Sequence, residues 1–72
     1  AQYGLGLLEQ GLEAAIQAGL IPAQSARATA HLLLAVLGEA AMLLARGDGS
    51  AASKAEVRAS LKRVLAGIAG RP

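Results

Sequence analysis

The sequence predicts an all-α fold of three antiparallel helices, and three observations predict it. Apolar residues recur at helical spacing in three segments, over about residues 2–18, 25–46 and 51–69. Composition agrees, because a hydrophobic content of 54% that is mostly Ala and Leu, with Tyr3 the only aromatic, favours helix throughout. The breakers fall between the segments, at Gly19 to Pro22 and at Gly47 to Gly49, and the links are short enough to make neighbouring helices antiparallel or strongly angled.

In the first helix Leu5, Leu8, Leu12, Ala15 and Ile16 share one stripe, bordered by Glu9 and Glu13. Gly19 stands where a left-handed residue closes a helix, with Leu20 placed to fold back on the last turn. Pro22 then biases Ile21 to extended geometry and opens the connection.

The second helix organises the chain. Ser25 suits its N-cap, Arg46 its last turn and Gly47 its end. At about 100° per residue, Ala26, Leu33, Val36, Leu37, Ala40 and Leu44 fall on one face. The opposite face carries Ala28, Ala35, Gly38 and Met42 beside Arg27, His31, Glu39 and Arg46, with leucines on both flanks. A helix apolar on nearly every side must be covered on nearly every side, and two short helices of the same chain do not suffice. The simplest cover is a second copy. Gly38, which costs the helix about 1 kcal/mol relative to Ala and makes no turn, then marks a close approach of two helices over Ala35, Gly38 and Met42. In an antiparallel pairing the strip of Arg27 and His31 would approach Glu39 and Arg46 of the other copy.

The third helix begins between Ser50 and Ser53, and Ser53-Lys54-Ala55-Glu56 fits a capping box. Val57, Leu61, Val64, Leu65 and Ile68 form a narrow stripe, Lys54, Arg58 and Lys62 line one side, and Gly70 closes the helix.

Seventy-two residues make one domain or a piece of one, which buries only about 60% of its unfolded surface and is marginal without a staple or a partner. The absence of Cys excludes disulfides and thiolate metal sites. Catalysis and metal binding have little to work with. His31 is the only histidine, and Glu39 lies two turns away along the same helix, out of direct reach. No cofactor is expected. Seven basic residues spread over three segments do not form the concentrated stripe that nucleic-acid binding needs, and aromatic residues to interleave them are lacking. The run from Leu32 to Ala45 holds 14 residues with Glu39 near its middle, short of the roughly 20 that cross a bilayer. The chain starts with Ala1, inside what reads as helix, and that hints at part of a longer protein.

These residues resemble a known family. The run from Leu7 to Leu20, ending Ala15-Ile16-Gln17-Ala18-Gly19-Leu20, is similar to the penultimate ligand-domain helix of TetR-type transcriptional regulators. The runs from Ala30 to Ala45 and from Val57 to Gly70 resemble the helices that follow it in that family. At Gln24-Ser25 the chain departs from the Asp-Pro common there, a change expected to alter only the cap. The resemblance implies that the last two helices form a four-helix bundle with those of a second subunit. The dimer interface would then hold His31, Ala35, Gly38, Glu39 and Met42 with Val57, Leu61, Val64, Leu65 and Ile68. Leu8, Leu12 and Ile16 would edge a pocket for a small-molecule effector of unknown identity. It also implies a cytoplasmic homodimer that reaches DNA only through an N-terminal helix-turn-helix, which these residues do not contain. A rival of another class is a cationic membrane-active peptide, which circular bacteriocins resemble in size and Ala/Gly/Leu content. Five acidic residues, Glu39 among them, and the lack of Trp and Phe speak against it.

Overall fold

Three helices arise where local signals start and stop them: α1 at Gln2–Gln17, α2 at Ala26–Arg46 and α3 at Ala51–Ala69. The computed structural model describes residues 2–71, with side chains from Gly4 onward, so Ala1 and Pro72 lie outside the described residues. No strand occurs among the described residues.

The end of α1 is held by backbone bonds. Leu20 N–H donates to the Ala15 carbonyl at 2.9 Å, Gly19 N–H donates to Ile16 at 3.0 Å, and Gly19 takes the left-handed φ of +74°. The apolar half of this motif is missing, because Leu20 is 76% exposed and does not fold back on the last turn. Ser25 caps α2 as expected, its hydroxyl accepting from Ala28 N–H at 3.0 Å. At the other end of α2, Gly47 donates its N–H to Leu43 but is extended, with φ −68° and ψ 171°. Space explains this glycine. A Cβ there would lie 2.6 Å from the Ser53 hydroxyl oxygen.

The cap of α3 corrects the sequence reading. Ser50 is the N-cap and accepts from Ser53 N–H at 3.1 Å, so Ser53 lies inside the first turn and the Ser53–Glu56 capping box does not form. The cause is one step upstream, where Asp48 Oδ1 accepts the Ser50 N–H at 2.8 Å and holds the residue extended, so the helix starts earlier. Gly70, at φ +74°, closes α3 with the same pattern that closes α1, Arg71 N–H donating to Ala66 at 2.8 Å.

Helix α2 packs against both α1 and α3, which do not pack against each other. Helix α3 runs antiparallel to α2, and its last turn returns to the α1–α2 connection, where Gln24 Nε2 donates to the Ile68 carbonyl at 3.0 Å. The result is a slab, with extents of 41 × 31 × 14 Å and a radius of gyration of 13.7 Å. A compact domain of this length has a radius of about 11 Å. A depth of 14 Å is one layer of helices, whereas a domain is ordinarily built from two. Burial is correspondingly thin: Ala26, Ala30 and Leu33 are the buried residues among those described, all in the first half of α2. Val36 and Ala40 are half-buried, while Leu37 and Leu44, on the face expected to be covered, stay exposed, because α3 lies along the Val36, Ala40 and Leu43 side of α2 and not over them. The stripe of α1 behaves as its spacing predicts, with Leu5, Leu8, Leu12, Ala15 and Ile16 all half-buried.

Candidate functional site

An open groove of about 550 Å³ lies between the second half of α2 and the first half of α3. Its floor is apolar, built from Val36, Ala40 and Leu43 of α2 and from Val57, Leu61 and Val64 of α3. Helical spacing places them there, since each set recurs every three or four residues and lines one side of its helix. Glu39, Arg46 and Glu56 stand around the floor, with Ser53 and Ser60. Further along the same seam, Leu32, Leu33 and Val36 meet Val64 and Ile68 around a smaller hollow of about 290 Å³.

The structure therefore gathers most of the α3 stripe on one side. Val57, Leu61, Val64 and Ile68 turn towards α2 of their own chain, while Leu65 falls off the line and is exposed. His31, Ala35, Gly38 and Met42 form an exposed strip on α2, and a Cβ added at Gly38 would meet nothing within 4 Å. Glu39 stands apart from that strip, at the groove with Arg46. On α1, Ile16 lines a hollow of about 380 Å³ with Glu13, Gln17, Gln24 and Ala26, beyond the half-buried Leu8 and Leu12.

Sequence reasoning missed two positions. Ala30, with no exposed surface at all, is the tightest point of the core. Gln24, expected only to alter a cap, joins three parts of the chain, as its Nε2 donates to the Pro22 and Ile68 carbonyls and its Oε1 accepts from the Thr29 hydroxyl at 2.9 Å. The small size of Ala30 and its place four residues after Ala26 could have revealed the first, and no local signal reveals the second.

The chemistry available is that of association. No three His, Cys, Asp or Glu side chains among the described residues stand close enough to hold a metal. One carboxylate is shifted: the Ser50 hydroxyl and then the Ser50 backbone N–H hold Asp48 below the usual carboxylate range. Helix α2, at 21 residues, is long and apolar enough to cross a membrane by length and composition, a test that the core helix of a soluble domain also passes. The 14-residue run expected to be too short thus sits in a helix of sufficient length.

Residues 1–68 match the family model of the tetracyclin repressor-like C-terminal domain, a stretch that takes in α1, α2 and α3 as far as Ile68. The chain belongs to this family. No curated protein matches it, and neither does any solved structure. Membership makes it a C-terminal domain of a TetR-family transcriptional regulator. The all-helical architecture accords with that membership.

Proposed function

We propose that this chain is the homodimerisation part of a ligand-responsive TetR-like repressor, coupling effector binding to the geometry of DNA binding. One observation carries the reading: a layer 14 Å deep leaves an apolar groove and most of α2 without a second layer. Leu32, Leu34, Leu37, Met42, Leu43 and Leu44 are all exposed, with Leu32 at 67%. Isolated chains rarely leave a contiguous apolar surface of this kind open. Against a second copy, α2 and α3 complete a four-helix bundle. The interface would take in His31, Ala35, Gly38, Glu39 and Met42 with Val57, Leu61, Val64, Leu65 and Ile68.

In this mechanism an effector bound beside Leu8, Leu12 and Ile16 of α1 favours one dimer geometry. It shifts the DNA-competent population by no more than its differential affinity for the two geometries. DNA contacts would belong to a helix-turn-helix outside these residues, and the assembly would act in the cytoplasm.

Sedimentation velocity tests the proposal directly. A dimer at micromolar concentration is expected, and a folded monomer at millimolar concentration overturns it. A dye-leakage assay with anionic vesicles tests the membrane-active rival, which the apolar length of α2 favours. Release of dye by micromolar protein would replace the repressor reading.

A further inference from the structure

Helices α1 and α3 do not pack against each other, yet the chain between α1 and α2 grips the last turn of α3 at two points. Helix α3 ends with carbonyls that have no partner further along the helix. The closing turn satisfies Ala66 and Gly67 through Arg71 and Gly70 N–H, leaving Ile68 and Ala69, and the Ile68 carbonyl accepts from Gln24 Nε2 at 3.0 Å. The same amide nitrogen donates to Pro22 within the connection, and the amide oxygen is oriented by the Thr29 hydroxyl in the first turn of α2. At the second point the Pro22 ring lies over Gly70, so close that a Cβ on Gly70 would stand 2.5 Å from Pro22 Cγ.

We propose that Pro22 and Gln24 form a latch that carries displacements of the α1 C-terminus to the last turn of α3, bypassing the packing through α2. The connection starts at Gly19, directly after α1, so a shift of Gln17 or Ile16 moves Pro22 within a few residues of chain. Pro22 has a fixed φ and transmits that movement stiffly, and Gln24 holds a defined direction because both ends of its amide are bonded. Resting on the repressor reading, the latch is the physical route by which an event beside Ile16 reaches the α3 stripe at the dimer seam.

Amide hydrogen exchange on the intact chain tests this. In Gln24→Ala the amides of Gly70 and Arg71 should exchange on the order of tenfold faster, about the size given by loss of the one neutral hydrogen bond that reaches the last turn of α3, while amides near Leu33 keep their rates. Gln24→Glu retains the acceptor for Thr29 but loses both donations, and should reproduce the effect. In the parent chain Ile16→Val should shift the amide resonances of Gly70 and Arg71, and in the Gln24→Ala background it should not. Unchanged exchange at Gly70 and Arg71 in both Gln24 variants overturns the latch, as does an equal acceleration in all three helices. Sedimentation of the same samples separates the two ideas: a dimer without the exchange effect removes the latch alone, and a monomer with it removes the repressor reading alone.

Discussion

The Pro22 ring fills the space that a side chain at Gly70 would need, across a gap of 2.5 Å from Pro22 Cγ to a Cβ built there. Gly19 has the same left-handed φ of +74°, but a Cβ built there would meet nothing within 4 Å. The pair separates backbone strain from crowding. Gly19→Ala should lower stability by about 1 kcal/mol from the left-handed conformation alone. Gly70→Ala should cost at least about 1 kcal/mol more, because the Pro22 ring must also move. Thermal melts of both variants check this, and Pro22→Ala in the Gly70→Ala background should recover part of the difference.

Gly38 sets helix propensity against association. Nothing in the chain opposes a side chain there, so Gly38→Leu should raise the helicity of the isolated chain, Gly being about 1 kcal/mol worse than a good helix former. If a second helix lies close over Gly38, the same variant should dimerise at least tenfold more weakly. Sedimentation across a concentration series reads the association, and an unchanged dimer takes Gly38 out of the interface.

Leu33 should be the most sensitive side chain in the molecule. It is the only buried residue described with a large side chain, and Leu33→Ala should cost roughly 2–5 kcal/mol. That rivals the whole stability of a small domain, so the variant is expected to be unfolded at 37 °C. Circular dichroism decides it. For the parent chain, linkage to a dimer should make the melting temperature rise with protein concentration.

Asp48 titrates lower in the folded chain than in the unfolded one, through the Ser50 hydroxyl and N–H. The sign follows directly. Its contribution to stability is present above the unfolded carboxylate pKa and is lost as pH falls through the folded value. A carbon-detected NMR titration should find Asp48 below the ordinary aspartate range, and Ser50→Ala should move it up. That variant should also lose about 1 kcal/mol with the N-cap.

How much was legible in the sequence follows from distance along the chain. The Ser25 cap, the Gly19 and Gly70 closures and the α1 stripe each depend on residues within five positions, so spacing alone locates them. The cap of α3 was misplaced for a reason of the same kind. Two serines stand three apart, and Asp48 decides between them. The Gln24 bond to Ile68 spans 44 residues and leaves no periodic trace, so nothing near Gln24 announces it. For the groove, the spacing of Val57, Leu61, Val64 and Ile68 shows that they share a side of α3. It does not show that this side meets α2 of the same chain before any other helix.

A body one helix deep owns scarcely any interior, so its surface leucines can become core only when something lies over them. Drift at Leu32, Leu34 or Leu44 would then change which chains are able to pair while the turns that shape each chain stay intact. Among sister regulators descended from one ancestor, divergence should accumulate on the broad faces first, and partner choice would separate long before the fold did.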